Sequence, residues 1–222
     1  MTKIIDLEIK EKNYINKKSK ISILNNFSLK VEAGEKIAIV GKSGAGKSSL
    51  LNILGLIDRS YIGTYNLFDI PTNKASSKYL ATCRNEKVGF VLQESALINS
   101  MSIEDNIKLP LFYAKSSCIK SRMFIFDDLV KNIDIVSILD KKPLDCSGGE
   151  KARAVFARGV IMNPPLILCD EPTSSLDTEN KERIINLLFK MNKEFNTTII
   201  TVTHDYEVAN RHDRVIYLER SE

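Results

Sequence analysis

The sequence predicts an α/β fold with a mainly parallel core sheet, an N-terminal antiparallel β subdomain and a helical subdomain inserted at about 94–162, all within one domain over 1–222. Three observations carry that expectation. Short runs rich in β-branched residues recur along the chain and are apolar throughout rather than alternating, the pattern of strands covered on both faces. Helical patterns separate those runs, as crossovers between parallel strands do. From about Gln93 to about Met162 the strand series stops and the pattern is mostly helical.

In chain order, alternation in Ile4–Ile9 and again around Phe27–Val31 marks antiparallel strands beside the core sheet. Lys36–Val40 is the first continuous apolar strand, and a helical pattern follows Lys47. Val88–Leu92 is the next strand. Helices are expected over Ile103–Ala114, Phe126–Leu139 and Ser147–Met162. Strands at Leu166–Cys169, Thr197–Val202 and Arg214–Leu218 complete the series, with a helix from Asp177 to Glu194 between the first two.

A chain of 222 residues can bury one sizeable core and is short for two complete domains. Its composition, 43% hydrophobic and 27% charged, is that of a soluble globular protein, and no segment approaches the roughly eighteen consecutive apolar residues of a membrane-spanning helix. Service at a membrane would therefore be that of a peripheral subunit. Asp6 interrupts the N-terminus where a signal peptide places its apolar core, so export is not expected. Cys83, Cys118, Cys146 and Cys169 lie far apart, with no CxxC pair, and read as reduced thiols in a cytosolic protein. The net charge of +4 is mild. Its densest cluster, Lys17, Lys18 and Lys20, reads as a solvated loop, too short for a phosphate-tracking stripe, and no nucleic-acid partner is expected.

Strand Lys36–Val40 runs directly into Gly41-Lys42-Ser43-Gly44-Ala45-Gly46-Lys47-Ser48, and a helical pattern beginning with Ser49 follows. This is the GxxxxGK[ST] phosphate loop in its strand-loop-helix setting, which makes the expected fold a P-loop NTPase. Glycines let successive N–H groups face phosphates, and the helix adds its positive end. Gly41, Ser43, Gly44, Ala45, Gly46, Lys47, Ser48 and Ser49 are the candidate nucleotide contacts, with Lys47 reaching the β/γ-phosphates and Ser48 offering its hydroxyl to Mg²⁺. Leu166–Cys169 ends in Asp170-Glu171. A carboxylate at the carboxyl end of a parallel strand can hold the Mg²⁺ shell, the role expected of Asp170, and the next can orient or deprotonate the attacking water, the role expected of Glu171.

At Cys146-Ser147-Gly148-Gly149-Glu150 the chain resembles the LSGGQ signature of the ABC ATPases, and the family's other motifs appear in order. Gln93 stands where the family has its Q-loop glutamine, Ser174-Ser175-Leu176-Asp177 is similar to the D-loop, and His204 in Thr203-His204-Asp205 matches the switch histidine. The resemblance covers essentially the whole chain and implies ATP hydrolysis with Mg²⁺ between two copies packed head to tail, each lending Ser147, Gly148 and Gly149 to the nucleotide of the other, with Asp177 of the D-loop a further nucleotide-binding candidate. Ser147 to Gly149 open a helix, so their N–H groups form a second anion site that one chain alone does not need. Gln93 would supply an amide oxygen to Mg²⁺ or to the attacking water, and His204, as a neutral imidazole, would bond the γ-phosphate and align Glu171. The chain's other histidine, His212, reads as a surface residue. Tyr14 lies about where the family puts its adenine-stacking aromatic, although a tyrosine at a strand end is also an ordinary surface residue.

Two departures stand out. Cys146 replaces the signature leucine, a small volume loss at an apolar position, and Lys151–Arg158 keeps only part of the family's pattern. Slower turnover, not inactivity, is the expectation. Asn52–Asp58, Glu94–Leu111 and Asp170–Thr173 resemble the branch that serves lipoprotein-release, macrolide-export and antimicrobial-peptide-resistance systems. That resemblance implies an integral-membrane permease as partner and a peripheral place on the cytoplasmic face of the membrane. A related cell-division ATPase in a mechanical-signalling complex is the first alternative. A soluble ABC ATPase acting on DNA, ribosomes or cluster assembly is the second, and a metabolic P-loop kinase leaves the signature and D-loop unexplained.

Overall fold

Strands that are apolar on both faces need a sheet covered on both sides, and the computed structural model contains one; it describes residues 2–16, 19–92, 97–114, 126–174 and 176–219. Five parallel strands form it: β3 (Lys36–Val40), β6 (Val88–Leu92), β7 (Leu166–Asp170), β8 (Thr198–Val202) and β9 (Arg214–Tyr217), in the order β6-β7-β8-β3-β9. Asp170 pairs with Val202, and Val202 with Ile39, so β7, β8 and β3 end level with one another.

The two faces feed two cores. Ile37, Ile39, Leu166, Leu168, Ile200 and Val202 pack with α1 (Lys47–Leu54) and with β1 (Lys3–Asn16) and β2 (Ser19–Glu32). On the other side Ile167, Cys169 and Ile199 pack with α3 (Ile103–Phe112), α5 (Gly148–Val160) and α6 (Thr178–Phe195). Between β6 and β7 the described residues are helical or in turns, as expected for the insertion. β1 and β2 form an antiparallel hairpin, which β4 (Ile62–Leu67) and β5 (Ile70–Pro71) extend into a second sheet, β2-β1-β4-β5. Lys12 is buried in it, its ammonium 2.6 Å from Asp58 and bonded to the Ser60 carbonyl.

Three expectations need correction. β4, β5 and α2 (Ser77–Glu86) lie where the sequence pattern suggested no element. The helix expected over Phe126–Leu139 stops early: α4, described over 126–132, ends at Asp134, whose φ of 56° is left-handed, and Val136–Ile138 is a separate 3-10 turn. The Ile135 N–H bonds the Val130 carbonyl and the Asp134 N–H that of Lys131, a Schellman ending that satisfies the last carbonyls. Ile133, Ile135 and Ile138 carried an apolar pattern onward because all three are buried. His212 is buried rather than on the surface, with Val208 and Thr201 as partners of its ring nitrogens. Cys83, Cys146 and Cys169 are buried free thiols; Cys118, Lys17 and Lys18 lie outside the described residues.

Candidate nucleotide site

Because β7, β8 and β3 are parallel and end together, the segments that follow them meet at one edge, the position where open α/β sheets place ligands. After β3 the chain turns through Gly44 and Gly46, with φ of 79° and 92°. A Cβ on Gly46 would lie 3.0 Å from the Ile23 carbonyl oxygen, so both backbone conformation and space select glycine there. The turn delivers the chain into α1. Gly46 at the N-cap has no side chain to cap α1, and the first turn holds no acidic residue. By contrast, α2, α3, α5, α6 and α7 (Tyr206–Ala209) are capped by Ser76, Ser102, Ser147, Asp177 and Asp205. The positive end of α1 is thus open to an outside anion. Lys47 Nζ reaches back across the loop, donating to the carbonyls of Gly41 at 2.7 Å and Lys42 at 3.1 Å.

The Asp170 carboxylate at the end of β7 accepts a hydrogen bond from the Ser48 hydroxyl. Burial pushes its carboxyl above the usual range; the Ser48 bond and the Lys47 charge oppose that rise, and Glu171 adds to it. A hydroxyl and a desolvated carboxylate in contact are hard oxygen donors that suit Mg²⁺. Among the described residues no group of three or more His, Cys, Asp or Glu could hold a metal ion.

Glu171 sits in the left-handed region with φ 48°, a conformation that costs a non-glycine residue about 1–3 kcal/mol. Its neighbours hold it there: its N–H bonds the Val202 carbonyl at 2.9 Å, and its carbonyl accepts from the Ser174 hydroxyl at 3.2 Å. The bend turns its carboxylate toward the end of β8, where Oε2 lies 2.9 Å from His204 Nδ1 and accepts a longer bond from the His204 N–H. The phosphate loop, Asp170, Glu171 and His204 are therefore brought together.

Ser147, Gly148, Gly149 and Asp177 form a separate assembly. The Ser147 N–H donates to Glu150 Oε2 at 2.6 Å and the Glu150 N–H to Ser147 Oγ at 3.3 Å, a capping box that holds the Glu150 carboxyl below its usual range. Cys146 is buried in the core beneath, its thiol bonded to the Lys142 carbonyl at 3.4 Å and raised in pKa by burial, so the apolar position is kept. Asp177 caps α6. Tyr14 is 65% exposed on β1 opposite Ile21, on the hairpin whose Ile23 abuts Gly46. Gln93 and Ser175 lie outside the described residues. The sequence reading missed Arg153, Asn180 and Lys181, which tie the start of α6 to its surroundings. The spacing Asp177-x-x-Asn180, that of a capping aspartate and the amide it bonds, was the available signal.

The family model described as "ABC transporter" matches residues 24–174, more than half of the chain. The chain belongs to the ABC transporter family. It is an ABC-type ATPase cassette, and its relatives fall in the lipoprotein and macrolide branch that its motifs resemble. The Bacillus subtilis strain 168 ABC transporter ATP-binding protein YvrO, named as uncharacterised, is 39% identical over 211 residues, covering 95% of this chain and 91% of that protein. The lipoprotein-releasing system ATP-binding protein LolD of Francisella tularensis is 34% identical, covering 93% of this chain and 90% of its own length. The macrolide export ATP-binding/permease protein MacB of Rhodopirellula baltica is 37% identical over 90% of this chain, which spans only 29% of that protein. Among solved structures, the dimeric bacterial ABC transporter cassette MJ0796 superposes with a TM-score of 0.88 at 35% identity, covering 97% of this chain and 94% of that one. A dimeric post-hydrolysis state of the same cassette, bound to ADP and Pi, gives 0.87 at 34% identity, covering 99% and 97%.

Proposed function

We propose that two copies of this chain pack head to tail around two ATP molecules, hydrolyse them with Mg²⁺, and pass the resulting motion to a separate integral-membrane permease from a peripheral position on the cytoplasmic face of the membrane. The observation that carries this reading is the uncapped start of α1, where Lys47 and Ser48 stand beside Asp170. The dimeric form of the cassette MJ0796 supports the two-copy arrangement, and the names of LolD and MacB support service to a transport system.

In this reading the N–H groups of Gly41 to Ser49 cradle the phosphates, Lys47 exchanges its loop carbonyls for β/γ oxygens, and Tyr14 stacks on the adenine. Ser48, Asp170 and Gln93 would hold Mg²⁺, which would supply positive charge beside the phosphates. Glu171 takes the proton of the attacking water. Ser147, Gly148, Gly149 and Asp177 of one copy close on the nucleotide of the other. The Glu171 contact changes the task given to His204. A neutral ring that donates from Nδ1 to a carboxylate has an acceptor at Nε2, so donation to a phosphate oxygen requires that Nδ1 leave Glu171 or that the ring gain a proton.

Glu171→Gln tests the centre of the proposal. The variant should bind ATP, hydrolyse it about 10²–10⁴-fold more slowly and accumulate as an ATP-bound dimer in sedimentation. Hydrolysis at the parent rate would remove Glu171 from its role as base. Membrane pull-down tests the other half: recovery of a multi-span permease supports it, whereas purification with ribosomes or nucleic acid overturns it.

A further inference from the structure

We infer that Asn180 is a positioning residue that sets the Ser147–Gly149 turn against the first turn of α6, and so decides whether the two copies can close on ATP; the functional half of this inference rests on the dimer proposed above. A Cβ on Gly149 would lie 2.7 Å from three atoms of the Asn180 side chain, so the two helix starts touch through this one amide. Every polar group of the amide is engaged. Nδ2 donates to Asp177 Oδ2 at 2.8 Å, and Oδ1 accepts from Arg153 Nη1 at 2.8 Å. The Asn180 backbone N–H donates to Asp177 Oδ1 at 2.9 Å.

Arg153 comes from α5, one turn beyond Gly149, and its Nε is buried with no hydrogen-bond partner among the described residues. A buried donor left unmet is a cost that a side chain placed only for packing would avoid. On the other side of Asn180, Lys181 bonds Asp205 at 2.6 Å and Glu207 at 3.1 Å, immediately after His204. The first turn of α6 is therefore fastened on one side to the signature turn and on the other to the segment that carries His204. The signature turn serves the partner's nucleotide and His204 its own, so Asn180 fixes the spacing between surfaces that must meet two ATP molecules at once.

The test uses the full chain carrying Glu171→Gln, alone and with Asn180→Ala or Arg153→Lys. Amide hydrogen exchange of the nucleotide-free protomer is read at Glu150 and Lys151, whose N–H groups bond Ser147. Asn180→Ala, which removes both side-chain bonds of Asn180 to charged groups, should exchange there at least tenfold faster, and Arg153→Lys, which removes the guanidinium's bond to Oδ1, about tenfold faster. The ATP concentration at half-maximal dimerisation should rise by about as much, while a fluorescent ATP analogue binds the protomer within about twofold of the parent. Parent-like exchange and a parent-like dimerisation midpoint in both variants would overturn the inference. If Asn180→Ala does not fold, Arg153→Lys carries both readouts. If the Glu171→Gln parent never dimerises with ATP, the proposed function fails, and the exchange rates still decide whether Asn180 positions the turn.

Discussion

His212 shows how burial turns an ionisable ring into a fixed part of the frame. Its Nδ1 lies 3.0 Å from the Val208 carbonyl, which can only accept, so Nδ1 carries the proton and Nε2, 2.9 Å from Thr201 Oγ1, accepts. Both nitrogens are satisfied in the neutral ring, and Phe189 packs against it nearly at right angles. Burial pushes its pKa below the ordinary 6.5. The unfolded chain then binds a proton near 6.5 that the folded chain refuses, so below that pH the unfolded state holds more protons and stability falls as pH falls. Urea midpoints measured from about pH 7 to about pH 5 should decline, and the difference between the parent and His212→Gln should shrink across that window as the parent loses the neutral ring's advantage. A pH-independent difference would show that His212 does not titrate on unfolding.

At the scale of elements, one side chain can hold a loop that no pattern announces. Asn106 in α3 is fully buried; its Oδ1 accepts from the Ile98 N–H at 2.7 Å and its Nδ2 donates to the carbonyls of Ile98 and Ser102. Asn106→Leu keeps the branching at Cγ and strands those backbone groups, so it should lower unfolding free energy on the order of 1–3 kcal/mol, with an unchanged denaturant slope. A midpoint equal to the parent's would mean that water replaces the amide. The same contrast explains what was legible. β3, β6 and β7 were read nearly to the residue because burial on both faces makes them continuously apolar, and the loop after β3 because its glycines and lysine must fall at set places. β4 was not, since Ile62–Leu67 buries only Tyr65 and Leu67 and has a glycine as its second residue. Helix α2 buries just Leu80 and Cys83, too few to mark a periodic face. Glu171 and His204 were found through their motifs, but their mutual bond depends on the left-handed turn at Glu171, which residue types do not reveal.

For the whole molecule, the helix starts divide the work. The open start of α1 needs an anion from outside, whereas the start of α5 satisfies itself through the Ser147–Glu150 box and has its remaining N–H groups to offer. A protomer alone should therefore gain only the stability of its own ligand, while a pair sharing two nucleotides should gain stability that depends on how much protein is present. At ATP about 100 times its dissociation constant, ligand linkage alone supplies about 2.7 kcal/mol at any protein concentration. In Glu171→Gln with ATP and Mg²⁺ the melting temperature should climb further with each tenfold increase in protein, and without nucleotide it should stay level. Lys47→Ala, which removes the cation at the loop, should abolish both increments. A melting temperature that rises with ATP yet ignores protein concentration would describe an ATP-binding monomer, and the second anion site proposed on α5 would then have no nucleotide to meet.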